Sequence, residues 1–223
     1  MKYITDKEIR GLSISPFQCV EWVKESFSMK YDAQVPPKIS LHPQKSDFFN
    51  TMPCLLPPEY DRFGVKVVSR IAGNKPSLRS DVLLYQASTG ILLSLMSADW
   101  ITQMRTGAVA ALTINTLQSS CANVYAFVGL GSTAIATMQC LLSTLPLQKQ
   151  ITCKLLRYKR QADDFINLFS AFSNVRFVIV ENNEDLIKDS DVVVSAVTEM
   201  PTLFCEKNDL YKKGVLLVPI HTR

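Results

Sequence analysis

The segment VYAFVGLGSTA, Val124 to Ala134, decides the fold. Its first five residues form an apolar run, and the next six read Gly129-Leu130-Gly131-Ser132-Thr133-Ala134. An apolar strand followed by G-x-G-x-x-A and a helical pattern is the context in which a glycine loop reads as a dinucleotide fingerprint. Gly129 permits a tight turn, Gly131 lets the backbone approach a pyrophosphate, and Ala134 lets the next helix pack on the strand. Ser132 and Thr133 then occupy the first helical turn, where free N–H groups and the helix dipole favour an anion.

Toward the C-terminus, strands at 124–128, 151–156, 175–180, 191–197 and 215–219 alternate with helices near 132–144, 161–172, 183–188 and 206–212. This alternation predicts a parallel, doubly wound sheet. The run DVVVSAV, residues 191–197, is apolar nearly throughout, as a strand covered on both faces should be. A carboxylate at the end of the second strand would bind the ribose 2′-hydroxyl of NAD. Here that strand runs instead into Arg157-Tyr158-Lys159-Arg160. Cations in that place suit a 2′-phosphate, so NADP(H) is favoured over NAD(H). For Lys159 and Arg160 a solvated basic turn is the plain alternative.

Toward the N-terminus, the polar stretch 118–123 marks the expected boundary between a first domain, 1–119, and a second, 120–223. A helix precedes it, running from about Asp99 to Leu117 with room for a break near Arg105. The group Arg105-Thr106-Gly107-Ala108 reads as a second anion-binding device, a cation and a hydroxyl near a helix start. Between Val35 and Leu95, short β-rich runs predict a sheet with hairpin-like links, including a turn at Ser88-Thr89-Gly90. Residues 4–30 read as helical: Thr5 with Glu8 has capping-box spacing, and Ser15-Pro16 opens a second helix to about Met29. The fold class is therefore α/β, a Rossmann-like doubly wound parallel sheet joined to an α+β domain.

Composition excludes several classes of function. The chain has 223 residues, 47% of them hydrophobic, and a mild net charge of +4. No basic run interleaved with aromatics points to nucleic acid. No apolar run approaches the roughly 20 residues that span a bilayer, and the N-terminal MKYITDKEIRGL is too charged for a signal peptide. Six scattered cysteines without a C-x-x-C pair read as reduced thiols of a cytoplasmic protein. With two histidines, His42 and His221, and no His/Cys cluster, no metal site is expected.

Lys66 stands within the apolar run Gly64-Val65-Lys66-Val67-Val68. Lysine is seldom fully buried without a partner. Either the strand is an edge in water, or the side chain points into a cleft.

Taken in order, the landmarks resemble the ornithine cyclodeaminase/μ-crystallin family. They are Met52-Pro53, Gly64-Val65-Lys66 with Asn74, Ser77, Thr89-Gly90, Ile101-Thr102 leading to Arg105-Thr106-Gly107-Ala108, Gly129-Leu130-Gly131, Asp191 to Ala196, and Pro201. The resemblance implies a substrate-binding and dimerising first domain, a nicotinamide dinucleotide on the second, and hydride transfer at Cα of a small amino or imino acid. The reaction would be cyclodeamination, imine reduction or amino-acid dehydrogenation. It implies that Lys66 is the catalytic lysine and binds the substrate carboxylate, with Met52 and Arg105 also at the substrate. It sets Ser77, Arg105, Thr106, Arg157, Ser195, Ala196 and Val197 beside the cofactor. Some positions depart from the family pattern. Lys38 stands where many members have a substrate-binding arginine, which keeps the charge but loses the bidentate fork. Val197 replaces a usual hydroxyl residue, and Pro219 replaces a usual glycine. His221 lies near the family's catalytic acidic position. Members continue past the fifth strand, so the second domain is expected to be truncated after Arg223. These departures leave open an alternative, a catalytically inactive NADP-binding or structural member.

Overall fold

The computed structural model describes residues 1–197, 205 and 207–220. Compactness divides the chain into two units. Met1–Ser15 with Glu21–Thr102 form the first, and Pro16–Val20 with the chain from Gln103 form the second. The division falls inside a helix rather than at the polar stretch 118–123.

The first unit is built on a six-stranded sheet: β1 (Lys2–Ile4), β2 (Ile39–Leu41), β3 (Phe48–Leu55), β4 (Arg62–Arg70), β5 (Leu78–Gln86) and β6 (Leu92–Ser97). Its order is β1-β6-β5-β4-β3-β2. Neighbours from β2 to β6 run antiparallel, and β1 joins β6 in parallel. β1 precedes the expected helical opening at residues 4–30, overlapping it only at Ile4; only three residues pair, and their partner lies some ninety residues on. Helix α1 (Asp6–Gly11) starts at the anticipated capping box: Glu8 N–H donates to Thr5 Oγ1 at 3.2 Å, and Thr5 N–H donates to Glu8 Oε2 at 2.8 Å. Helix α2 (Pro16–Ser28) also begins at the anticipated proline.

The sheet's two faces differ. One carries Asn50, Val68, Ser80 and Ser94, all buried. The other carries Pro53, Val65, Leu83 and Leu95 in one row across four strands, none of them buried.

The second unit holds a five-stranded parallel sheet: β7 (Val124–Val128), β8 (Ile151–Leu156), β9 (Val175–Val180), β10 (Val192–Ser195) and β11 (Leu216–Pro219). The order is β11-β10-β7-β8-β9, with every pairing parallel. The central strands β7 and β10 are apolar because both their faces are covered. Toward one face Phe127 and Phe165 pack with ring centroids 6.0 Å apart, and Phe165 meets Phe169 at 4.9 Å. Toward the other, Ala126, Val128, Leu186 and Val193 form a buried cluster. Fully burying a side chain such as Phe127 stabilises by roughly 2–3 kcal/mol.

Helices α3 (Asp99–Leu117), α4 (Ser132–Thr144), α5 (Gln161–Leu168) and α6 (Asn183–Ile187) complete the fold. Two expectations are corrected here. α5 ends at Leu168, short of 172. The helix expected over 206–212 is a single 3-10 turn at Asn208–Leu210. Cys140 and Cys153 are buried, whereas Cys121 is exposed. No helix among the described residues is long and apolar enough to cross a membrane.

Candidate functional site

The order of the parallel sheet reverses beside β7. The chain passes from β7 outward to β8 and β9, then returns to lay β10 on the other side of β7. Ligands of open α/β sheets bind beyond the carboxyl ends of the strands at such a switch point. The glycine loop follows β7, and Ser195, Ala196 and Val197 close and follow β10. Sheet topology therefore brings these two sets together. The Ala196 N–H donates to Val128 O at 2.8 Å.

The two loop glycines have different causes. Gly129 has φ +77°, and a Cβ there would lie 2.7 Å from the Ala196 carbonyl carbon and 2.8 Å from Val197 N. The protein itself forbids a side chain at Gly129. Gly131, with φ −79°, is the N-cap of α4, and a Cβ there would meet nothing within 4 Å. No contact among the described residues demands glycine at that position. Nor does a side chain cap α4, and its first turn holds no acidic residue. By contrast, Thr5 caps α1 and Asn182 caps α6. The opening N–H groups of α4, at Ser132 and Thr133, are thus left for an anion. Ser195 Oγ is buried with no hydrogen-bond partner among the described residues. A site with open space at a glycine, an uncapped helix start and an orphaned buried hydroxyl fits the phosphates of a dinucleotide. The Val197 side chain packs against the cluster of Ala126, Val128, Leu186 and Val193.

At the end of β8, Arg157 Nε donates to Glu181 Oε1 at 2.6 Å, and Arg157 N–H donates to Val180 O at 2.9 Å. Glu181 raises the Arg157 pKa above its ordinary value. This corrects the reading of that end as free of carboxylates, because β9 lies beside β8 and delivers one. Lys159 adopts φ +51°, with its ammonium 5.2 Å from the Tyr158 ring centroid.

In the first unit, strand register sets Met52 opposite Lys66, and Lys66 opposite Val82. Lys66 is half-buried in this central strand. Lys38, which is exposed, directly precedes β2 and lies outside its pairing with β3. Two substrate-site candidates, Met52 and Lys66, thus share one row. The adjacent row on the same face holds Asn50, Val68 and Ser80. Asn50 Oδ1 and Ser80 Oγ are buried without a hydrogen-bond partner among the described residues. Sequence reasoning missed both. The only signal was a polar residue two positions along the same face from Met52 and from Val82. Ser77 lies exposed in the turn before β5, its carbonyl accepting from Ile71 N at 2.9 Å.

Arg105 and Thr106 lie on α3, which is continuous from Asp99, so the expectation of a helix start or break there is corrected. Gly107 has a packing reason: a Cβ would lie 2.5 Å from the Ala136 carbonyl carbon and 2.6 Å from Thr137 N of α4. A glycine inside a helix costs about 1 kcal/mol relative to alanine, which the close α3–α4 crossing offsets. Arg105 is exposed, yet surrounding protein desolvates its guanidinium enough to lower its pKa. It remains charged at neutral pH. His221 lies outside the described residues.

Known proteins carry the same architecture. Over 194 residues the chain is 28% identical to nodulation efficiency protein NfeD of Rhizobium meliloti, covering 84% of this chain and 58% of that protein. It superposes on an archaeal alanine dehydrogenase dimer with bound NAD at TM-score 0.77 and 23% identity, covering 88% of this chain and 60% of that one. On the Δ1-pyrroline-2-carboxylate reductase of Thermococcus litoralis, in complex with NADH and L-proline, the TM-score is 0.79 at 24% identity, covering 89% and 62%. These two likenesses show the fold. The chain spans about 60% of the length of these relatives. Residues 3–221 match the model of the ornithine cyclodeaminase/mu-crystallin family, to which the chain belongs.

Proposed function

We propose that the chain is an NAD(P)-dependent enzyme of the ornithine cyclodeaminase type, acting at Cα of a small amino or imino acid. The observation that carries this reading is the open cradle at the switch point: among the described residues, Gly131 has free space beside it, α4 is uncapped and Ser195 Oγ is orphaned. Gly129, Gly131, Ser132, Thr133, Ser195, Ala196 and Val197 would hold the dinucleotide, with Ser77, Arg105 and Thr106 also beside it. When bound, the nicotinamide accepts or returns a hydride at the substrate carbon. Arg157, Lys159 and Arg160 support NADP(H) over NAD(H).

Lys66, Lys38 and Arg105 bind the substrate carboxylate in this reading, and Met52 contacts the substrate. Fixing that carboxylate orients Cα, an effect worth up to roughly 7–11 kcal/mol when reacting groups are well aligned. Lys66 is the catalytic lysine and His221 the acid/base group. The unburied apolar row Pro53, Val65, Leu83 and Leu95 supports a homodimer, and the reduced cysteines support a cytoplasmic setting.

Fluorescence titration with NADPH and NADH, followed by assays on cyclic imines, ornithine and alanine, tests the reading. Lys66→Ala is expected to abolish turnover while leaving NADPH affinity within about twofold. Absence of binding by either cofactor sinks the proposal. Binding without turnover favours an inactive family member instead.

A further inference from the structure

The Arg157–Glu181 pair lies outside the phosphate cradle. Arg157 follows β8 and Glu181 follows β9, and both side chains are exposed. An exposed ion pair of this kind adds little to stability. Its position is the informative part. β8 is the neighbour of the glycine-loop strand, and in doubly wound dinucleotide folds such a strand ends at the adenosine ribose. A carboxylate there accepts a 2′-hydroxyl, whereas cations there hold a 2′-phosphate. This chain brings both groups to one place, the cation from β8 and the carboxylate from β9. The bond uses Arg157 Nε, so the Nη donors can serve a second anion. Glu181 engages Arg157 through Oε1, and its Oε2 can accept from a hydroxyl.

Resting on the dinucleotide reading of the cradle, we propose that Arg157 and Glu181 together set the cofactor choice. Arg157 holds the 2′-phosphate of NADP(H). Glu181 accepts the 2′-hydroxyl of NAD(H) and repels a 2′-phosphate, which carries nearly two negative charges at neutral pH. The chain therefore accepts both cofactors, and its preference for NADP(H) is smaller than the cations alone would produce. The carboxylate missing from the end of β8 is supplied by the neighbouring strand.

The test is the dissociation constant of NADPH and of NADH for the wild type, Glu181→Gln and Arg157→Gln, with a thermal melt of each to confirm folding. Glu181→Gln is expected to tighten NADPH roughly threefold or more and to weaken NADH, moving their ratio about tenfold. Arg157→Gln should weaken NADPH about tenfold and leave NADH within twofold. An unmoved ratio in Glu181→Gln overturns the proposal while leaving the cradle intact. Weaker NADPH binding in Glu181→Gln also overturns it, because Glu181 would then only position Arg157. A wild type that binds neither cofactor overturns the cradle reading, and this proposal with it.

Discussion

The two ends of the parallel sheet meet opposite demands. At the amino end, Asp191 is 6% exposed, and its Oδ2 accepts the Asn123 and Val124 N–H groups at 2.9 Å each. Its Oδ1 pairs with Lys212. Burial opposes ionisation of this carboxyl, but Lys212 and the two N–H donors outweigh it and hold the pKa below the ordinary value. At the carboxyl end, α4 starts uncapped, Gly131 faces open space and Ser195 Oγ is orphaned among the described residues. The protein satisfies its own polar groups at one end and leaves them unsatisfied at the other. In the dinucleotide reading proposed above, the first end serves stability and the second serves binding, on the same strands.

The largest effect is expected at the closed end. Asp191→Ala leaves two backbone donors and Lys212 without their acceptor. It should cost about 3 kcal/mol and lower Tm by roughly 6–12 °C, with NADPH affinity unchanged. A melt within about 2 °C of wild type breaks the contrast. Gly129→Ala should follow at about 2–3 kcal/mol, since it combines positive φ with a 2.7 Å approach to the Ala196 backbone. Denaturant titration measures it, and a neutral result removes the close approach as a constraint.

Gly131→Ala sharpens the comparison from the open end. Its φ of −79° suits alanine and the space is free, so stability should change by less than about 1 kcal/mol. Cofactor affinity should fall at least tenfold, because a methyl would stand where a phosphate approaches. Undiminished affinity in the titration would falsify the claim that a ligand, not the chain, requires this glycine.

The smallest effect is in pH. The folded pKa of Asp191 is depressed, so its contribution is present above the ordinary carboxylate pKa near 4 and is lost as pH falls through the folded value. The Tm gap between wild type and Asp191→Asn should be full near neutrality and shrink on acidification. A gap that widens toward acid contradicts the assignment.

Much of the fold was legible because its causes are local. The five parallel strands are apolar for most of their length, the central two with both faces buried, and Thr5 with Glu8 announces α1 over one turn. What was not legible depends on partners far along the chain. β1 is three residues that gain strand identity only from β6. Gly107 reads as part of an anion-binding group at a helix start until Ala136 of α4 is set against it. Met52 and Lys66 are separate landmarks in the sequence, and only register makes them neighbours. Asn50 and Ser80 are ordinary polar residues until burial orphans them. Glu181, twenty-four residues from Arg157, belongs to the candidate site only because β9 pairs with β8.

By itself, then, the sequence determined the alternation of strand and helix, the glycine loop after β7 and the cations after β8. These follow from periodicity, turn chemistry and side-chain type, which act within a few residues. The tertiary structure alone decided which glycine the chain itself requires, which hydroxyls are orphaned and which carboxylate faces which cation. Those properties depend on what packs against a residue, and strand order and helix crossing set that across the length of the chain.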